Sequence, residues 1–126
     1  MPRVVHFEIC AKNPERASKF YKAVFGWKIT KWAGPQSYWL ISTGRKGTPG
    51  IDGGILKRSH KDDRTVNTVD VRSIEQAMKT IKKAGGKILM PVMTIPGIGY
   101  MTYCEDTEGV CFGIMQADKK AKPESK

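Results

Sequence analysis

One stretch of the chain occurs twice, and the repeat limits what the chain can fold into. Residues 4–27 read VVHFEICAKNPERASKFYKAVFGW. Val5, Phe7 and Ile9 fall on one face and Val4, His6, Glu8 and Cys10 on the other, the period of two that marks a strand. Asn13 and Pro14 then predict a helix start, with Asn as cap, Pro in the first turn and Glu15 against the positive end of the helix dipole. Ala17, Phe20, Tyr21 and Val24 make one apolar stripe at helical spacing, and Gly26 predicts its left-handed end. From Val66 the pattern restarts with VNTVDV, a Ser73/Gln76 capping box, a stripe of Ile74, Ala77, Met78 and Ile81, and Gly85-Gly86. The copies superpose at an offset of 60: Asn13 on Ser73, Glu15 on Glu75, Ala17 on Ala77 and Gly26 on Gly86.

Three further strands are predicted after each helix, at 27–32, 37–42 and 53–57 and again at 87–93, 99–105 and 110–116. Each copy is therefore βαβββ. One helix covers only one face of a four-stranded sheet, so neither copy buries itself alone, and two together do. The fold class expected is α+β: two tandem βαβββ modules forming a curved eight-stranded mixed sheet around a cleft, helices outside. A single domain is expected over residues 1–117, with modules at about 3–57 and 66–117. Residues 118–126 (DKKAKPESK) are expected as a disordered basic tail.

The bulk composition narrows the class of function. Hydrophobic residues make up 40% and charged residues 27% of the 126, an ordinary soluble mixture. No apolar run nears the roughly 20 residues that span a bilayer, and the N-terminus lacks the apolar core of a signal peptide. The expectation is a cytoplasmic protein with no membrane partner. The cysteines, Cys10, Cys104 and Cys111, sit in apolar strand-like stretches without a C-x-x-C spacing, which excludes a disulfide scaffold and a zinc knuckle. The formal charge of +10 favours anionic ligands. The basic residues are interspersed with acids and form no stripe with aromatics, so no nucleic-acid partner is expected.

His6, Asn13-Pro14-Glu15-Arg16, Phe20-Tyr21 and Phe25-Gly26-Trp27, in that order and spacing, resemble the first module of the vicinal oxygen chelate superfamily: glyoxalase I, bleomycin resistance proteins and extradiol dioxygenases. Val71-Arg72-Ser73-Ile74, Ala84-Gly85-Gly86 and Glu105-Asp106-Thr107-Glu108-Gly109 resemble the second, with Thr107 where the family usually has Pro. The resemblance covers about residues 3–117. It implies paired modules around a cleft, a homodimer, and, in metal-dependent members, four inward ligands. Those positions fall on His6, near Gly53, on Val66 and on Gly113, and only His6 can coordinate. A catalytic divalent ion needs about three protein ligands, so the usual metal is disfavoured and no cofactor is expected. A site built from His6, Glu8 and a distant acid of the charged connector, which carries His60, Asp62 and Asp63, is the variant left open.

The first reading is accordingly a glyoxalase/bleomycin-resistance-like protein that binds a small molecule, an anionic one included, in its sheet cleft without the metal. The alternative is a family enzyme, an isomerase, lyase or dioxygenase, using His6 and Glu8 as an acid–base pair with or without a metal. A basic interaction module for nucleic acid or a protein is the third. His6 and Glu8 are the candidate catalytic residues. Trp39, Tyr103, Cys111 and Met115 are the candidate ligand contacts, the last two because they alternate with Gly113. The loop at 43–50 (TGRKGTPG) is Gly-rich and carries Arg45 and Lys46. It fits a plain hairpin loop or a lid that brings positive charge to a ligand, and it lacks the Walker spacing that cradles phosphates.

Overall fold

The computed structural model describes residues 2–59 and 64–122. His60, Asp62 and Asp63 lie outside the described residues, as do 123–126 of the expected tail. Two compact units divide the chain: Val5–Asn67, and residues up to Val4 with those from Thr68 onward. Each holds one helix and the strands that follow it, so the α+β class and the tandem arrangement are as the repeat predicted.

The first module runs β1 (Val4–Ala11), α1 (Pro14–Phe25), β2 (Lys28–Lys31), β3 (Tyr38–Ser42) and β4 (Asp52–Lys57). Its strand order is β2-β3-β4-β1, antiparallel except for the parallel β1–β4 pair. Asn13 caps α1 by accepting the Arg16 N–H at 3.1 Å, and Gly26 ends it at φ 70°, returning its N–H to the Lys22 carbonyl. Ile29, Ile41 and Ile55 form the buried core, packed by Phe7, Ile9, Ala17, Tyr21, Trp27 and Trp39. The face that α1 buries carries Pro14, Ala17, Ser18 and Tyr21. This is one column round from the expected stripe, of which Phe20 is 58% and Val24 52% exposed; Phe25 beside them is 60% exposed. Ser18 can occupy the seam because its hydroxyl donates to the Pro14 carbonyl at 2.8 Å.

The second module runs β5 (Thr65–Asp70), α2 (Ile74–Lys83), β6 (Lys87–Ile88), β7 (Met93–Ile95), β8 (Gly99–Glu105) and β9 (Cys111–Ala117). Its order is β5-β9-β8-β6, with β7 also on β8. It therefore holds one strand more than expected. The predicted strand at 87–93 is split around Pro91, which has no N–H to give a ladder. Ser73 caps α2 through the Gln76 N–H, and Ile74, Cys104 and Ile114 are the buried core. Residues 118–122, expected within the disordered tail, form a turn instead. Ala121 is buried there, and its carbonyl accepts the Gly97 N–H at 2.9 Å.

The repeat is not at one offset throughout. Glu8 lies beside Gly54, and Thr68 beside Gly113, in the two parallel ladders. Residues 8 and 68 differ by 60, whereas 54 and 113 differ by 59. The slip enters at the helix ends: α2 is shorter, and the left-handed residue matching Gly26 is Gly85, at φ 97°, rather than Gly86.

Candidate functional site

In the first module, β1 turns Phe7 and Ile9 toward α1, and His6, Glu8 and Cys10 the other way. The β1–β4 register puts Asp52 beside His6, Gly54 beside Glu8 and Leu56 beside Cys10, so these share the face away from the helix. Tyr38 reaches this face from β3. Two strand spacings, roughly 10 Å, separate β3 from β1. The Tyr38 ring crosses that gap by lying over Gly54, where any Cβ would run into its hydroxyl and ring carbons. Its hydroxyl ends 2.8 Å from His6 Nε2.

Burial pushes the His6 imidazole below its ordinary pKa and outweighs the opposing charges of Glu8 and, more weakly, Asp52. The ring is therefore neutral at neutral pH. In one tautomer Nε2 accepts the Tyr38 proton; in the other it donates to the hydroxyl oxygen. Such a pair can bind a carbonyl, hydroxyl or carboxylate, and can pass a proton either way. Glu8 is only 5% exposed, two residues along the same face. Asp52, beside His6 on β4, accepts the Thr43 N–H at 2.9 Å.

Tyr38 was not among the residues singled out from sequence; its neighbour Trp39 was. Trp39 belongs to the other face. It stands opposite Ile55 and Lys31 in the ladders, packs on the isoleucine core and lies under the Lys31 ammonium, 5.5 Å from the ring centre. Gly53 moves for the same reason: a Cβ there would meet the Phe7 carbonyl and ring, on the helix side. The residue that matches Gly113 is Gly54. One residue of register exchanges the two faces of a strand. Gly54 was the available signal, since a glycine amid a central strand marks a place where another group comes close.

In the second module, Phe112 and Ile114 face α2, which leaves Cys111, Gly113 and Met115 on the opposite face, as the alternation predicts. Tyr103 stands directly across from Gly113 and shares that face, with Glu105 across from Cys111 and Met101 across from Met115. Tyr100, by contrast, packs into the α2 core. Cys111 is half-buried, while Cys104 is fully buried and its thiol is pushed up by that burial, away from thiolate chemistry.

The donor set does not fit the divalent metal that the resemblance implies. Of the corresponding positions, Gly54 and Gly113 have no side chain and Val66 has no donor atom. The space over Gly54 is filled by Tyr38, whose hydroxyl takes the His6 Nε2. Among the described residues no three His, Cys, Asp or Glu side chains gather into a possible metal site.

Two hollows flank these features, each within one module. One, about 310 Å³ and open to solvent, is bordered by the β3–β4 loop and lined by residues 43–50 and Asp52. The other, about 660 Å³, lies along α2 between Gln76, Thr80 and Ile81 and the strand residues Val69, Phe112 and Ile114. Among the described residues no helix is long and apolar enough to cross a membrane.

A family model described as "Glyoxalase/Bleomycin resistance protein/Dioxygenase superfamily" matches residues 3–114. Solved structures with the same fold include a methylmalonyl-CoA epimerase in complex with methylmalonyl-CoA and NH4+. It is 12% identical, with a TM-score of 0.71 over 98% of this chain and 99% of that one. A Streptomyces coelicolor methylmalonyl-CoA epimerase variant in complex with 2-nitronate-propionyl-CoA is 13% identical, at 0.69 over 98% and 99%. The Mycobacterium tuberculosis methylmalonyl-CoA epimerase is 9% identical, at 0.68 over 91% and 87%. At these identities the likeness is one of fold. No curated protein matches the chain.

Proposed function

The chain belongs to the glyoxalase/bleomycin resistance protein/dioxygenase superfamily, and from that premise we propose that it binds a small molecule on the His6 face of its first module without the superfamily's divalent ion. The observation that carries this reading is the Tyr38 hydroxyl, 2.8 Å from His6 Nε2 and lying over Gly54. One neutral pair, next to the buried Glu8, offers donors and acceptors to a polar ligand group where metal ligands are missing. Tyr103, Cys111 and Met115, on the corresponding face of the second module, are assigned to ligand contact, and the +10 charge favours a ligand with an anionic group. The protein is read as a cytoplasmic homodimer. The exposed Phe20, Val24 and Phe25 on α1 support an apolar seam, and light scattering tests the dimer.

The test of binding is a ligand-observed NMR screen of small metabolites in EDTA, with hits mapped by the His6 and Tyr38 ring signals. A hit that moves both, survives EDTA and weakens about tenfold in Tyr38→Phe supports the reading, a loss of roughly 1.4 kcal/mol. A divalent ion bound at unit stoichiometry through His6 would sink it.

The same pair supports a second reading, an enzyme that moves a proton next to a carbonyl. A neutral imidazole in contact with a phenol can take a proton at one atom and return one at the other. Solvent deuterium appearing at a carbon of a bound hit, and lost in His6→Ala, would select this reading over simple binding.

A further inference from the structure

We propose that the β3–β4 loop, residues 43–50, is an oxyanion subsite that holds the phosphate or carboxylate group of the ligand whose other end reaches His6. The inference deepens the reading above and rests on it. The loop borders an open hollow of about 310 Å³ rather than closing on itself. At Gly44, Gly47 and Gly50 an added Cβ would meet nothing closer than 3.6 Å, so the space beside the backbone is open there. The frame is nonetheless held. At the mouth, the Thr43 hydroxyl donates to the Ile51 carbonyl at 2.7 Å, and the Thr43 N–H goes to Asp52. At the tip, Thr48 donates both its N–H and its hydroxyl to the Arg45 carbonyl. A framed loop loses little entropy when it takes a ligand.

The charge is one-sided. Arg45 and Lys46 are the cations of the lining, and its single acid, Asp52, is already engaged by Thr43. A guanidinium and an ammonium around an open backbone suit an oxyanion, which both phosphate and carboxylate present. The second module makes no such loop. Its β8–β9 turn, 106–110, is a tight Asp106-capped hairpin in which the Asp106 carboxylate accepts the Glu108 and Val110 N–H groups. Asp52 ties the loop to the reactive pair, since it is the residue paired with His6 in the β1–β4 ladder. A ligand bridging the two would be an organic anion, with its charged end in the loop and a polar group at His6 and Tyr38.

The experiment titrates the full-length 15N-labelled chain with inorganic pyrophosphate and, separately, with succinate. The expected result is saturable shifts centred on the amides of 43–50, with the preferred probe identifying a phosphoryl or a carboxylate site. Arg45→Ala/Lys46→Ala should weaken that probe about tenfold or more, while Lys82→Ala/Lys83→Ala on α2 should leave its affinity unchanged. Unsaturable shifts spread over the basic surface, or equal weakening by both double variants, would overturn the proposal. If the loop takes neither probe while a screened ligand still binds at His6, the subsite fails alone. If the loop binds but no ligand reaches His6, the reading beneath it fails instead.

Discussion

Tyr38 reaches His6 across an intervening strand, its hydroxyl 2.8 Å from Nε2, and the side chain missing from Gly54 makes the passage. The contact joins the third strand of the module to the first. Tyr38→Phe removes the hydroxyl and leaves a half-buried ring nitrogen without that partner. The expected cost is about 0.5–1.5 kcal/mol, read by urea denaturation, with a change in the His6 15N shifts that reports the lost bond.

Gly54→Ala and Gly53→Ala should differ in kind although the residues are adjacent. At 54 the new methyl meets the far end of Tyr38, which can swing aside. The expected outcome is a folded protein, destabilised by about 1 kcal/mol, with the His6–Tyr38 contact broken. At 53 the methyl meets the Phe7 carbonyl, which belongs to a paired strand and cannot move without breaking the ladder. That variant should lose about 3 kcal/mol or more. Thermal unfolding of the two checks the order.

Acidification should weaken the fold through His6. Its folded pKa lies below the ordinary value of 6.5. Between the two values the unfolded chain holds more protons than the folded one, so stability rises with pH there. The His6 contribution is complete above about 6.5, falls as pH drops through the folded value, and levels off beneath it. His6→Asn should remove this part of the pH dependence in chemical denaturation.

Asp52 acts on the same ring from the neighbouring strand. Its charge pulls the His6 pKa up against the effect of burial. Asp52→Asn should therefore move the His6 titration further down, as followed by its ring proton shifts. The Thr43 N–H contact should weaken at the same time, seen as faster amide exchange at the loop mouth.

The capped helices were legible because their signals are local: Asn13-Pro14 and Ser73 with Gln76 need no knowledge of the rest of the chain. The strand faces were legible only where polarity alternates. In β1, Phe7 and Ile9 against His6 and Glu8 assign both sides. In β3 and β4, Tyr38-Trp39-Leu40-Ile41 and Gly53-Gly54-Ile55-Leu56 are apolar or neutral at every step, so a period of two has no phase to read. The uniform offset of 60 then carried the error, because the shorter end of α2 changes it to 59 for β4 and β9. The α1 stripe erred by one column because Ser18, a polar residue, lies in the buried seam while Phe20 does not. Bonding its hydroxyl to its own helix makes that exchange possible, and composition gives no sign of it.

The crossing of Tyr38 over Gly54 also sets the order in which this site can change. A carboxylate or imidazole introduced at 54 would occupy the space the tyrosine fills. A donor at 54 beside an unchanged Tyr38 has to push that ring aside, as the smaller methyl of Gly54→Ala does. A metal-binding strand here therefore calls for a change at 38 as well as at 54, on two different strands. Glycine at 54 and tyrosine at 38 are thus coupled choices: the space that one leaves is the space that the other fills.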